Sequence, residues 1–320
     1  MNRRQFNLGL LALSATLCQR RSLAADRGWQ LEREFRHASD INVEQVECSP
    51  ESQVVASWAT DGSFSMWNYK TNQLLFSRGD RTRLLGLRSK SLFFLDRDEA
   101  VKMNLADQAI TPVRCPIDPV AISPDTEWWL GLRARSTPTL WNAKSGALKN
   151  LSAPPAVYRV EPRLSHFSED GKWFCMAETV RAVLWNIDKP DDPILIEDQP
   201  AEVTNIRLSR NADFIVLSAL GGSLTMNHRT QARRFSQKAR YGGDLRGLWL
   251  DNSSHSLLVG ASEGQPRLAI QRMPSLKKPS PLPAEPEPLG QGDEVWSCWM
   301  KGSLAVTGHR GGLVKLWRKR

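Results

Sequence analysis

Apolar and polar residues alternate along this chain in short runs, and the runs come in sets. Between Ile41 and Ser77, Val43, Val46 and Cys48 are apolar among polar neighbours, and Ser49-Pro50 turns the chain. Val54 to Trp58 reads as a second strand. Thr60-Asp61-Gly62 follows, a turn holding a residue able to take positive φ. Phe64 to Trp67 reads as a third strand, Thr71-Asn72 as a turn, and Gln73 to Ser77 as a fourth strand.

The set recurs. Leu84 to Val113 is a short, degenerate copy, with Asn104 where the others place a Trp. Asp118 to Leu151 is clearer, with Ser123-Pro124-Asp125, then Trp128 to Leu132, then Thr139-Leu140-Trp141-Asn142. Tyr158 to Ile196 repeats it, with Ser168-Glu169-Asp170-Gly171 as the first turn and Trp185-Asn186 ending the third run. Glu202 to Phe235 and Asp244 to Met273 are weaker copies. Val295 to Trp317 supplies three strand-like runs, with Gly308, Gly311 and Gly312 read as the tight turn between the last two. The third runs end at Trp67, Asn104, Trp141, Trp185, Asn227, Gln271 and Trp317, in steps of 37 to 46 residues. That spacing predicts seven four-stranded units stacked side by side.

The Ser-Pro-Asp and Asp-Gly turns, with Trp-Asn closing the third strand, resemble the WD-repeat family over nearly all of residues 29–320. The resemblance implies an all-β fold, a seven-bladed β-propeller of four-stranded blades. The final unit lacks a fourth strand, and Trp29, Leu31 and Phe35 offer apolar residues spaced among polar ones at the other end of the chain. An open ring would leave two apolar blade faces wet, so Trp29 to Phe35 is expected to pair with Leu313 to Trp317 and close it.

The first 25 residues read differently. Arg3-Arg4, then Gln5-Phe6-Asn7, precede an apolar run from Leu8 to Leu17, too short to span a bilayer. A small-residue cleavage site lies near Ala24/Ala25. The segment resembles a twin-arginine export signal and implies a bacterial, periplasmic protein, with residues 26–320 as the propeller and no membrane insertion of the mature chain. Removing Arg3, Arg4, Arg20 and Arg21 lowers the formal charge from +9 by four, to +5. Both signs are interspersed and no run of five Lys or Arg occurs, which argues against a nucleic-acid partner. Pro274 to Gly290 carries six prolines and is expected to be an extended, solvated loop that replaces or displaces the outer strand of the sixth unit.

Reactive chemistry is sparse. No G-x-S-x-G, GxxxxGK[ST] or GxGxxG motif occurs. Five histidines, His37, His166, His228, His255 and His309, fall in different units without metal-ligand spacing and read as turn or surface residues. Glu44, Glu47, Glu161 and Glu202 lie near strand starts and read as solvated acids. Cys48, Cys115, Cys175 and Cys298 lack a CxxC pairing and read as free thiols, with Cys48 and Cys298 the pair that ring closure would bring nearest. No catalytic residue, metal ligand or cofactor is assigned.

The loops expected on one face carry Arg81, Arg83, Arg133, Arg135, Arg181, Arg240 and Arg310, with Asp61, Asp96, Asp98 and Glu178 among them. They point to a monomeric, non-enzymatic scaffold presenting a partly basic face to a partner protein. The alternative reading is a propeller enzyme, or a binder of a small ligand or metal, that uses the central channel.

Overall fold

The computed structural model describes residues 28–320, apart from 38–40, 80, 134–136, 153–163, 197–200, 230–233, 239–242, 252–255, 264–267, 273–286 and 291–293. The export-signal segment, Glu161, His255, Arg135, Arg240 and most of the proline-rich stretch lie outside the described residues.

Twenty-eight strands are described, and each joins one of seven four-stranded antiparallel sheets. β1 (Trp29–Arg36) comes first. Blade one is β2 (Val43–Ser49), β3 (Val54–Ala59), β4 (Phe64–Asn68) and β5 (Gln73–Arg78). Blade two is β6 (Thr82–Leu87), β7 (Ser91–Asp96), β8 (Glu99–Asn104) and β9 (Ile110–Pro112). Blade three is β10 (Asp118–Ile122), β11 (Trp128–Arg133), β12 (Thr137–Asn142) and β13 (Leu148–Asn150). Blade four is β14 (Ser165–Phe167), β15 (Trp173–Glu178), β16 (Arg181–Asn186) and β17 (Lys189–Ile196). Blade five is β18 (Val203–Leu208), β19 (Phe214–Ala219), β20 (Ser223–His228) and β21 (Arg234–Lys238). Blade six is β22 (Leu245–Asp251), β23 (Ser256–Ala261), β24 (Leu268–Arg272) and β25 (Glu287–Gly290). Blade seven is β26 (Val295–Lys301), β27 (Leu304–His309) and β28 (Leu313–Lys319), completed by β1.

The ring therefore closes as expected, as a seven-bladed propeller. β1 runs antiparallel to β28 from Trp29 opposite Lys319 to Arg36 opposite Leu313, with one bulge between Leu31 and Arg33. Cross-strand charges hold that register: Arg318 Nε donates to Glu32 Oε2 at 2.6 Å, and Lys315 lies 3.9 Å from Glu34. Phe35 carries the closure into the core, stacking on Trp67 of blade one at 5.4 Å. It shares one buried cluster with Val43, Val46, Val306 and Val314.

Two side-chain devices repeat from blade to blade. Ser123, Ser168 and Ser209 each accept, through Oγ, the backbone N–H five residues on, at 2.9 Å, and so cap the first hairpin. Asn68, Asn104, Asn142 and Asn186 each accept the N–H two residues on, at 2.8–3.1 Å, and so build the turn into the outer strand. Asn104 therefore occupies the turn-capping position and not that of the signature Trp. The Trp position in blade two is Met103, fully buried and paired with Leu92 as Trp67 pairs with Val55. Trp67, Trp141, Trp185 and Trp317 are buried between blades. Trp129 is buried while its neighbour Trp128 is half-exposed beneath Lys149, whose Nζ sits 4.9 Å from the ring centre.

Two other expectations are corrected. Gly308 lies inside β27, so the turn is made by Gly311 and Gly312 with φ of 75° and 73°. Gly308 is instead a close approach between blades: a Cβ there would lie 2.6 Å from Val43 Cγ1 and would also meet Ser297 Oγ. The proline-rich segment, expected as a loop throughout, supplies the outer strand of blade six at its end. Its last four residues, Glu287–Gly290, form that strand as β25, which is an edge strand and so tolerates Pro288.

Candidate functional site

The inner strands β2, β6, β10, β14, β18, β22 and β26 surround one cavity of about 660 Å³ on the propeller axis. At its waist each inner strand contributes an equivalent position: Glu47, Gly86, Ala121, His166, Arg207, Trp249 and Trp299. Each precedes the residue that pairs, across the second strand, with the signature Trp position of the third, and strand alternation turns these positions toward the axis. Two of the seven are small, and a neighbouring side chain takes up the space. The guanidinium of Arg88 lies where a Gly86 side chain would begin, with Nη1 at 3.0 Å from that point.

Arg88 is fully committed to the protein. It donates to the carbonyls of Ile122 at 2.6 Å, Leu87 at 3.1 Å and Ser123 at 3.4 Å, and it lies 3.9 Å from Glu47 Oε2. Glu47 in turn accepts from the Leu87 N–H and from Gln45 Nε2, the latter at 3.1 Å. This acid is thus a fixed partner for Arg88, not the solvated acid expected from the sequence.

Arg207 is different. Its Nη1 donates to the carbonyl of Ile206 at 2.7 Å, its guanidinium stacks over Trp249 at 5.4 Å, and its Nε is buried without a partner. Among the described residues no carboxylate lies within ion-pairing distance of it. Burial lowers the Arg207 pKa, as it does for Arg88 and Arg83.

His166 sits beside it and is no turn or surface residue. Its Nδ1 accepts the Leu208 N–H at 3.2 Å, and its ring meets Trp249 edge-on at 6.4 Å. Burial, then the positive charges of Arg207 and Arg88, push its pKa well below the ordinary value. The imidazole is neutral, and with Nδ1 accepting, its proton is on Nε2. Trp249 also packs on Trp299, at 6.0 Å between ring centres.

His166 is half-buried, and the other described histidines are buried. His37 bonds Ser63 Oγ at 3.1 Å, and burial lowers its pKa. His309 Nε2 pairs with Thr307 Oγ1 at 2.7 Å, and Thr307 accepts from Trp317 Nε1 at 2.9 Å. His228 packs edge-on against Phe214 at 5.2 Å. All four described cysteines are free. Burial raises every one of these thiols, Cys115 to about 11 and Cys298 to about 12, which makes them poor nucleophiles. Among the described residues no three His, Cys, Asp or Glu side chains gather as a metal site, and no helix is long and apolar enough to cross a membrane.

The predicted basic face separates into two groups. Arg81 lies in the connection between blades one and two. Arg133, Arg181 and Arg310 lie at the hairpins between second and third strands, at the same end of the ring. Two are paired there: Arg181 with Glu178 at 3.3 Å, and Arg310 with Glu294 at 3.2 Å. Arg83, one strand residue further in, turns into the cavity and donates through Nη2 to the carbonyl of Pro119, leaving its Nε buried without a partner. Arg246 lines the same mouth, 3.3 Å from Asp244 and stacked over Trp296 at 5.0 Å. The opposite mouth is lined by Glu51, Glu169, Asp251 and Lys301, with Lys301 3.2 Å from Glu51. The channel residues escaped the sequence reading because nothing in a single strand says which of its faces meets the axis. The equivalent positions emerge only once the pairing register is known.

No protein-family model and no curated protein matches the chain. Among solved structures it is similar to the β-propeller domain of Myceliophteria thermophila Cps50 (Swd1), with a TM-score of 0.63 and 12% sequence identity. That match covers 91% of this chain and 99% of the other. At that identity the likeness is one of fold: both chains form β-propellers.

Proposed function

We propose that this protein is a non-enzymatic interaction scaffold, exported to the periplasm after cleavage near Ala24/Ala25, that presents one end of its propeller to a partner protein. The propeller is a fold commonly used this way. The observation that carries the reading is the closed ring. β1 joined to β28 fixes the spacing of seven sets of loops around a rigid core, and such a platform holds an extended binding surface with little ordering cost. Arg81, Arg133, Arg181 and Arg310 at one end, interleaved with Glu178 and Glu294, give that surface charges of both signs. Such a rim steers encounter and rejects wrong partners more than it adds affinity.

The test is charge reversal on that end. Arg81→Glu combined with Arg133→Glu leaves the core untouched, so the variant should fold and melt like the parent. It should capture its partner about tenfold more weakly, chiefly through a slower on-rate. Unchanged capture would remove this end as the docking face.

A further inference from the structure

The waist of the channel holds chemistry that the scaffold reading does not use. We propose that it is a binding site for a small organic carboxylate, its anionic head on Arg207 and His166 and its apolar body against Trp249 and Trp299.

The donors and acceptors are lopsided. Glu47 and Arg88 satisfy each other and neighbouring backbone groups. That leaves a guanidinium with an unpartnered, buried Nε on Arg207, and an N–H on His166 Nε2, since the Nδ1 accepts from Leu208. Both are donors, and they converge on the same indole, Trp249. Arg207 is half-buried, the Glu47 carboxylate that acts on it is held by Arg88, and an entering anion gives its guanidinium a direct partner. Guanidinium presents its donors in a planar fork that matches a carboxylate.

The walls fix the rest of the ligand. Trp249 and Trp299 stand side by side, and Leu85 and Leu248 also line the cavity. Aromatic and aliphatic walls around a few convergent polar groups describe a site for an amphiphilic small molecule, and 660 Å³ lies in the size range of such sites. Access also has a direction. Arg83, Arg246 and Glu44 line the mouth on the side of the inter-blade connections, whereas Glu51, Glu169, Asp251 and Lys301 line the other, so the first is the less acidic entrance for an anion.

This inference does not rest on partner binding, because the purified chain alone should show it. The probe is labelled benzoate in equilibrium dialysis against the mature protein, with inorganic phosphate as competitor. The expected result is saturable binding at one benzoate per chain, weakened about tenfold or more by Arg207→Met and unchanged by Arg310→Ala. Equal concentrations of phosphate should leave it undisturbed. Melting curves check the fold of each variant. If the methionine variant melts early, Arg207→Lys is read instead, which keeps the charge, loses the fork and should weaken benzoate severalfold. Absence of saturable benzoate binding, or equal binding by a folded Arg207 variant, would overturn the proposal. Displacement by phosphate would overturn the organic carboxylate in favour of an inorganic oxyanion.

Discussion

A single hydrogen bond decides what His166 is. Because the ring is shielded from water, with two guanidiniums nearby and Nδ1 turned to the Leu208 N–H, protonation of the folded protein is opposed, whereas the unfolded chain takes up the proton near the ordinary value of 6.5. In the pH range between the two values the unfolded state binds more protons, so stability falls as pH drops through about 6.5. His166→Asn keeps an acceptor for Leu208 and removes the titration. Its unfolding free energy in urea should therefore fall less steeply than the parent's between pH 7 and 5, the difference in slope reaching up to ~1.4 kcal/mol per pH unit. Parallel curves would assign the acid sensitivity elsewhere, first to His37, whose pKa is lowered by burial. Gly308 is a second residue whose role is visible only in three dimensions. A methyl group there would press on Val43 and Ser297, so Gly308→Ala should cost about 1–3 kcal/mol in urea unfolding, and a neutral result would mean the blades can slide apart at no cost. Much else at this scale was legible in the sequence. The Trp-Asn pairs located Trp67, Trp141 and Trp185, because large apolar residues beside a turn-capping Asn leave a local signature. At Asn104 the Asn alone misleads by one position, since capping and packing are separate demands on adjacent residues, whereas Asn227 does stand at the Trp position, paired with Ile215.

At the scale of elements, the most consequential strand is the one farthest from its partners in sequence. β1 satisfies the outer edge of β28, pairs Glu32 with Arg318, and delivers Phe35 into the cluster beneath blade one. Its loss would unpair β28 and expose that cluster. Deletion of residues 26–36 should accordingly lower the melting temperature by roughly 10 °C or more, and a truncated chain that melts like the parent would contradict ring closure as a source of stability. This pairing could be read from the sequence because an incomplete last unit and an orphan alternating strand explain each other. Blade six could not be read as well. Its outer strand is built from Glu287–Gly290 at the end of a proline-rich stretch, and proline content argues against a strand unless the edge position is already known. Inward-facing residues were hidden for a related reason. Glu47, His166 and Arg207 sit in strands whose two faces are equally credible from the pattern, and the axis exists only after seven blades have closed.

For the whole molecule, the closed ring separates three surfaces with different work to do. The faces between blades are spent on packing, as the buried clusters that join successive sheets show. The channel keeps the Arg207 guanidinium, which has no carboxylate within ion-pairing distance among the described residues. The end formed by the inter-blade connections displays Arg81, Arg133, Arg181 and Arg310. Fold alone selects no partner, since propellers serve many purposes, and so the proposed scaffold role stands or falls on what the protein holds and where. The measurement is a crosslinked capture of the tagged protein from the periplasm of its native host, run beside the Arg81→Glu, Arg133→Glu variant and quantified by mass spectrometry. The account predicts one dominant partner in near-equal amount with the parent and about a tenfold loss with the variant. A protein recovered without any stoichiometric partner, or absent from the periplasm altogether, would contradict it.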